Sequence, residues 1–396
     1  MDKKPHIGFI CHEYPPCNHG GIGSFTKDLA EGLVQAGFKV SVIGMYLPHI
    51  LDLNKITIEK ISGVKIYRLP FENRMNQKHL NALYQRLKLL RFVLSTIKET
   101  GIDIIESPEN QGWLPFGLLG KVPLITRFHG GEAYLGKTLN RPYSRFTSLM
   151  EKSQLLFSDQ LVSVSSFVGK MTLDVLKTER NFITIYNSVK ITKSIYHKNL
   201  TKVDVEPYLI VFSGSIIRNK GVEELILSMN IILKKFPEAK LILAGKNNRW
   251  MNDKKYDEYL MSLLDDRKYE KSINFLGAID RERELFPLLS MAQVCCFPSY
   301  VESFSYAPLE AMALRKPVVF TKSSSGPEAI EDGVSGLLCD PKDPKDIAEK
   351  IMFLFENPDK AEELAREGQK RVQTIFSYEK WLKKNIDLYK KVLDEN

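Results

Sequence analysis

The sequence predicts an α/β protein of two Rossmann-like, doubly wound domains. Three observations predict it. Short runs rich in Val, Ile and Leu alternate with segments of helical periodicity. Parallel strands buried on both faces, joined by crossover helices, read this way. The pattern restarts near Tyr208, after a polar stretch of weak periodicity within residues 185–205. The conspicuous glycines, basic residues and carboxylates follow directly on the expected strands, where open parallel sheets bind ligands.

In chain order, strands are expected at 6–11, 39–43, 102–105, 124–128 and 160–164. After the restart they are expected at 208–213, 240–244, 273–276, 294–297 and 317–320. Helices are expected between them, for example at 23–36 and 221–236. The expected division is an amino-terminal domain over 1–190, a second over 191–375, and a terminal helical segment over 376–396. A chain of 396 residues is long enough for each domain to bury its own core.

Composition narrows the function classes. The chain is 43% hydrophobic and 26% charged, too apolar for disorder. Met1 to Pro5 leads straight into a short apolar run, with no secretory leader or membrane-spanning stretch, so a cytoplasmic location is expected. The five cysteines are odd in number, and Cys295 and Cys296 are adjacent in an apolar segment. They read as reduced core thiols, not as a disulfide framework or a zinc site. Residues 1–190 carry 24 Lys and Arg against 16 Asp and Glu, while the rest has 32 of each. No zinc finger or aromatic RNA-binding signature accompanies this excess, so nucleic acid is not expected as a partner. An anionic membrane or a phosphate-bearing acceptor fits the charge as well.

Gly20-Gly21-Ile22-Gly23 follows the first strand and precedes a helix. Glycines there allow a tight turn and close approach of an anion to helix amides; a plain turn is the other reading. The dinucleotide fingerprint fails, because Thr26 stands at its third glycine position. After the first strand of the second domain comes Ser213-Gly214-Ser215-Ile216-Ile217-Arg218-Asn219-Lys220-Gly221. Arg218 and Lys220 offer a planar fork and a point charge for a diphosphate, or are simply solvated. The sharpest motif runs from Pro298 to Ala313, with Glu302 in a loop and Glu310 in the helix around Pro308. A loop carboxylate there can reach a ligand, and free first-turn amides can hold phosphate.

These motifs, in this order over nearly the whole chain, resemble glycosyltransferase family 4, retaining enzymes with the GT-B fold of two facing Rossmann-like domains. Glu302 and Glu310, seven residues between them, match its paired glutamates. Arg218 and Lys220 match its basic pair, Gly20 to Gly23 its glycine loop, and His129-Gly130 its histidine after a strand. Phe275-Leu276-Gly277-Ala278-Ile279 resembles its nucleobase segment. Phe376-Ser377-Tyr378 and the following helix resemble the tail that crosses back to the amino-terminal domain.

The resemblance implies roles. Glu310 would bind ribose. Glu302 would contact the transferred sugar, helped by backbone near Ser303, Phe304, Ser305 and Tyr306. Arg218 and Lys220 would neutralise the departing diphosphate. His129 would line the sugar pocket, or serve as a structural loop histidine. Gly21, Gly23, Gly214, Ala278 and Ile279 would complete donor binding. Two departures stand out. Ser303-Phe304-Ser305 replaces Gly-Phe-Gly, so Ser305 would be strained at positive φ or would cap the helix. Arg315 replaces a glycine before Lys316-Pro317.

On the acceptor side, Glu106, Glu109 and Glu132 are candidates, or are loop polarity. Residues 74–98 hold six basic residues and no acid. Leu80, Leu83, Leu87, Leu90, Leu94 and Ile97 form a stripe at helical spacing. Such a helix either lies on an anionic membrane, the inner face of the cell membrane being the one expected, or packs on its own domain. The expected activity is retaining transfer of a sugar from a UDP-, GDP- or ADP-sugar to a saccharide or lipid-linked acceptor, in surface polysaccharide or glycolipid assembly, without a metal or other cofactor. A sugar-nucleotide epimerase and a non-catalytic sugar-nucleotide-binding protein are the rivals.

Overall fold

A computed structural model of the chain describes residues 4–17, 20–190, 204–247, 250–251 and 254–396. It divides into two compact units, Met1–Asn187 with Glu379–Asn396, and Ser188–Tyr378. The expected join at 185–205, and the boundary at 190 to 191, fall largely on 191–203, outside the described residues.

The first unit is an eight-stranded sheet. Its strands are β1 (His6–Ile10), β2 (Lys39–Tyr46), β3 (Thr57–Ile61), β4 (Val64–Pro70), β5 (Ile104–Pro108), β6 (Leu124–Phe128), β7 (Gln160–Ser163) and β8 (Ile183–Thr184). They lie in the order β3-β4-β2-β1-β5-β6-β7-β8. Among the described residues of this unit, only β3 and β4 pair antiparallel. Strands β1, β5 and β6 are buried at every residue, as a sheet covered on both faces requires. Helix α1 (Gly21–Gln35) follows β1, and α2 (Lys78–Thr100) precedes β5. Helices α3 (Glu132–Thr138), α4 (Arg145–Leu156) and α5 (Ser166–Leu176) flank β6 and β7.

The second unit is a six-stranded parallel sheet. Its strands β9 (Leu209–Ser213), β10 (Lys240–Ala244), β13 (Ile273–Gly277), β14 (Val294–Phe297), β15 (Val318–Thr321) and β16 (Leu337–Cys339) run in the order β13-β10-β9-β14-β15-β16. A separate two-residue ribbon pairs β11 (Trp250–Met251) with β12 (Lys254–Lys255). Helices α6 (Val222–Lys235), α7 (Tyr256–Met261), α8 (Phe286–Met291), α9 (Tyr306–Ala313), α10 (Gly326–Ala329), α11 (Pro344–Glu356) and α12 (Pro358–Thr374) follow in turn. Cys11, Cys295, Cys296 and Cys339 are buried and Cys17 is half-buried, all as free thiols.

The last helix, α13 (Tyr378–Asp394), packs in the first unit through a buried polar cluster. Arg127 donates from Nε to Glu106 Oε1 (2.6 Å) and from Nη2 to Glu106 Oε2 (3.0 Å) and Asn385 Oδ1 (2.6 Å). The Tyr389 hydroxyl donates to Glu106 Oε2 at 2.8 Å. A buried charge persists only when paired and hydrogen-bonded, and here the terminal helix supplies two of the partners.

Helix α2 follows the second of the two readings of 74–98 in part, packing on its own domain with Leu90 in the core and Leu94 and Ile97 against it. Its buried face is Asn81, Gln85, Arg86, Leu89, Leu90, Val93 and Thr96. Of the expected stripe only Leu90 is fully buried, while Leu80 and Leu87 are exposed. Arg86 is buried, donating to the carbonyls of Gly112 (2.8 Å), Ala82 (2.9 Å) and Gln111. Lys88 donates to the carbonyl of Pro70 and to Glu72. Neither cation is free for lipid, because carbonyls and a carboxylate inside the unit already hold it. Among the described residues no helix is long and apolar enough to cross a membrane.

Candidate active site

In the second unit the site residues gather on the carboxyl ends of adjacent strands. Gly214 (φ 144°) opens the loop after β9, and residues Arg218–Lys220 form a single tight helical turn. Gly221 then takes φ 68° and starts α6. A Cβ on Gly221 would lie 1.8 Å from the carbonyl oxygen of Pro298. Only glycine permits both this conformation and this approach. The two loops are also tied by the Tyr300 amide, which donates to the Asn219 carbonyl at 2.9 Å.

That closeness sets Lys220 against Glu302. Lys220 Nζ donates to Glu302 Oε1 at 2.6 Å, with the carboxylate buried and the ammonium side chain 27% exposed. The Glu302 backbone is pinned on both sides: its amide donates to Ser324 Oγ (2.9 Å), and Ser325 Oγ donates to its carbonyl (3.1 Å). Arg218 is more open, 65% exposed, with Nε 3.6 Å from Glu223 Oε2.

Helix α9 begins at Tyr306, with Ser305 as its cap residue at φ −73° and ψ 141°. Ser305 is therefore unstrained, and its side chain makes no capping bond to the helix. The departure from Gly-Phe-Gly costs no backbone energy at this position. Arg315 does sit at φ 55°, the left-handed region that favours glycine. Phe304 is buried with its ring 5.3 Å from Phe376, while Ser303 and Tyr306 are half-buried. Glu310 is buried in α9 and accepts from Arg281 Nε at 2.6 Å. After β13, Ala278 is exposed and Ile279 half-buried.

In the first unit, the glycine turn after β1 meets a carboxylate of its own chain. Glu13 Oε1 accepts from the Gly23 amide at 2.8 Å, at the start of α1. Gly21 is exposed, with open space where a Cβ would stand. His129 follows β6, half-buried with its ring 4.6 Å from that of Phe25. Burial holds its imidazole down to about 3, so it is neutral near pH 7.

Two acceptor candidates are corrected here. Glu106 belongs to the buried Arg127 and Tyr389 cluster. Glu109 is fully buried and accepts from the amides of His129 (2.8 and 2.9 Å) and Gly130 (2.7 Å). Burial raises its carboxyl to about 8, against these amide bonds. Glu109 shapes the loop that carries His129, Glu106 holds Arg127 and the terminal helix, and both carboxylates are buried. Glu132 is half-buried at the start of α3, with Oε2 3.3 Å from Arg141.

Three residues were not foreseen. Arg281 holds Glu310, and Glu13 closes the glycine turn. Glu151 accepts from the amides of Gln111 (3.0 Å), Glu132 (2.7 Å) and Ala133 (3.1 Å). Arg281, two positions after Ile279, carried a signal in its place beside the nucleobase segment. Glu13 and Glu151 carried none, since their partners are backbone amides. Among the described residues, no three His, Cys, Asp or Glu side chains gather as metal ligands would.

Comparison with known proteins gives two family matches. Residues 19–193 match the description Glycosyltransferase Family 4, and 196–371 match Glycosyl transferases group 1. An uncharacterised glycosyltransferase of Methanocaldococcus jannaschii is 26% identical, over 97% of both chains. Sucrose-phosphate synthase of Thermosynechococcus elongatus has the same fold, with a TM-score of 0.82 at 21% identity, over 99% of this chain and 100% of that one. HepE of Anabaena, solved in complex with UDP-glucose, aligns with a TM-score of 0.73 at 17% identity, over 98% of this chain and 99% of that one.

Proposed function

The chain belongs to the family 4 type of glycosyltransferase, an enzyme of GT-B fold, and from that premise we propose that it moves a hexosyl group from a nucleoside-diphosphate sugar to a hydroxyl acceptor with retention of configuration. The observation that carries the reading is the Lys220 and Glu302 pair. It sets a cation and a carboxylate side by side at the carboxyl ends of β9 and β14. A sugar diphosphate presents the complementary pair, an anionic bridge and a hydroxyl-bearing ring.

In this reading the diphosphate lies against Lys220, Arg218 and the amino-terminal end of α9. Glu302 accepts from sugar hydroxyls, and Glu310, kept in place by Arg281, accepts from ribose. The backbone at Ala278 and Ile279 holds the base. His129, neutral, offers a hydrogen bond to the sugar without adding charge. The bond between the anomeric carbon and the phosphate oxygen breaks, and the diphosphate keeps the electron pair. The acceptor oxygen bonds the same carbon on the same face and loses its proton to the leaving diphosphate. The HepE complex supports a uridine donor. Surface polysaccharide or glycolipid assembly at the cytoplasmic side of the membrane is the proposed setting.

Leu80 and Leu87, exposed on α2 beside exposed Lys78 and Arg91, support peripheral contact with anionic lipid. Liposome flotation of wild type and a Lys78→Glu/Arg91→Glu variant tests this, and equal binding by both would remove the contact. The donor reading is tested by isothermal titration with UDP-, GDP- and ADP-sugars. One of them should bind wild type and lose affinity in Glu310→Ala. Binding of none, or binding indifferent to Glu310, would overturn it.

A further inference from the structure

His129 heads the loop of residues 129–133, which leads from β6 into α3. The first amides of a helix have no partner inside it. The residue before α3 is Gly131, which has no side chain to cap them. Their partners come from another helix. Glu151, on α4, accepts from the amides of Glu132 (2.7 Å) and Ala133 (3.1 Å). Glu109, just after β5, accepts from those of His129 (2.8 and 2.9 Å) and Gly130 (2.7 Å). Four of the five loop amides thus donate to two carboxylates.

Glu151 Oε1 also accepts from the Gln111 amide at 3.0 Å, while Arg86 donates to the carbonyls of Gln111 and Gly112. One carboxylate therefore ties the turn after β5 to the loop after β6. Gly131 lies between the two glutamates. A Cβ there would stand 2.8 Å from Glu151 Oε1 and 3.2 Å from Glu109 Cγ. Its backbone, at φ −70° and ψ 178°, is open to any residue, so the glutamate side chains alone exclude a side chain. Glu109 is 0% exposed and Glu151 1%. At such burial they act on the site through the backbone they hold.

We propose that Glu151, together with Glu109, is a positioning residue for transfer: the two carboxylates clamp the loop behind His129 and fix where its ring stands. The part of His129 in transfer rests on the reading above; the clamp rests on this geometry alone. A misplacement of about 1 Å can cost on the order of a hundredfold in rate, which makes the backbone under His129 a sensitive point.

Kinetics with the sugar nucleotide that wild type turns over, and NMR of the full chain labelled at its histidine rings, test this. Glu151→Gln keeps the shape but turns an N–H toward the loop amides. It should lower kcat on the order of tenfold to a hundredfold, with the donor KM and UDP binding little changed. Gly131→Ala leaves both glutamates in place and drives a methyl against them. It should lower kcat in the same way, and it decides the matter if Glu151→Gln does not fold. In a His129→Ala background neither substitution should cost much more, because nothing is left to position. The His129 ring signal, identified by its loss in His129→Ala, should shift in both variants. Losses that multiply in full with that of His129→Ala, or a His129 signal unmoved in both variants, would overturn the proposal. Full activity in His129→Ala would remove the histidine from transfer and the positioning role with it. No turnover of any sugar nucleotide by wild type would instead sink the transferase reading, and the ring signal would then decide the clamp by itself.

Discussion

Lys220 and Glu302 meet at 2.6 Å across the loops that follow β9 and β14. Each restrains the other before any ligand arrives. Their contributions to transfer are therefore coupled. A charge-assisted hydrogen bond is worth about 1.5–3 kcal/mol, so Lys220→Ala should lower kcat/KM on the order of tenfold to a hundredfold. Glu302→Gln should do the same by a different route, through lost sugar contacts and a freed ammonium. The double variant should fall short of the product of the two losses, since contacting residues do not add. Steady-state kinetics of the four proteins measures this, and strict additivity would contradict the coupling.

Arg281 and Glu310 form the second pair of the same unit, also at 2.6 Å. Glu310→Ala is expected to weaken binding of the free nucleoside diphosphate by about tenfold, the worth of one good hydrogen bond to a charged group. Arg281→Ala should weaken the same binding less, because it removes the group that orients the carboxylate and not the carboxylate itself. Glu302→Ala should leave this sugar-free product bound almost normally while transfer collapses. Calorimetry with UDP separates the three, and equal losses would withdraw the division of labour.

Much of this was legible in the chain because it lies on runs of local pattern. Strands such as Leu124–Phe128 and Val294–Phe297 are continuous apolar runs and stand where the sequence puts them. β3 and β4 escaped notice because they are a hairpin at the sheet edge: Thr57–Ile61 is largely exposed, and Arg68 in β4 is a buried cation. Its Nη1 and Nη2 donate to the carbonyls of Tyr14 and Pro15, partners more than fifty positions away. The same cause misplaced Glu106. A carboxylate after an expected strand reads as a ligand group until Tyr389, distant in sequence, is seen donating to it. Arg86 read as a surface charge for want of the carbonyls of Gln111 and Gly112. Local period marks elements and strand ends, while long-range partners decide which polar residues are structural.

The Glu106 cluster yields a prediction that distinguishes structure from acceptor binding. Removing one partner of a buried ion pair leaves the other uncompensated and costs about 3–5 kcal/mol. Glu106→Ala should therefore lower the denaturant midpoint strongly. Tyr389→Phe, which removes only one hydrogen bond, should cost about 1 kcal/mol. Whatever fraction remains folded should keep its KM for acceptor. A raised acceptor KM in a Glu106 variant of normal stability would restore Glu106 to the binding site.

His12 and His129 are both held down to about 3 by burial. Their folded-state values lie below the unfolded value near 6.5. Between those limits the unfolded chain binds more protons, so stability rises with pH and is lost as pH falls from about 6.5 toward 3. Each histidine contributes a slope of at most ~1.4 kcal/mol per pH unit, less here because both side chains are only half-buried. Urea denaturation from pH 7 to pH 4 should show this loss, and His129→Gln should lessen it. Unchanged acid sensitivity in that variant would mean the ring is solvated.

The last prediction concerns the charge that the leaving diphosphate develops. Some positive potential must meet it, from a bound ion or from the protein. The chain itself offers Lys220 beside Glu302, the exposed guanidinium of Arg218, and the amino-terminal end of α9, the positive pole of its dipole. Preorganised groups of this kind are effective where water is excluded. The sequence has no Asp-x-Asp triplet, the usual metal-holding motif of sugar-nucleotide transferases. Transfer is therefore expected to persist in excess EDTA with metal-free substrates. Under those conditions Arg218→Ala/Lys220→Ala should lose more activity than either single variant, and added magnesium should not restore it. If magnesium or manganese restored activity to EDTA-treated wild type, the neutralising charge would come from the ion, and Lys220 would be left as a positioning partner for Glu302.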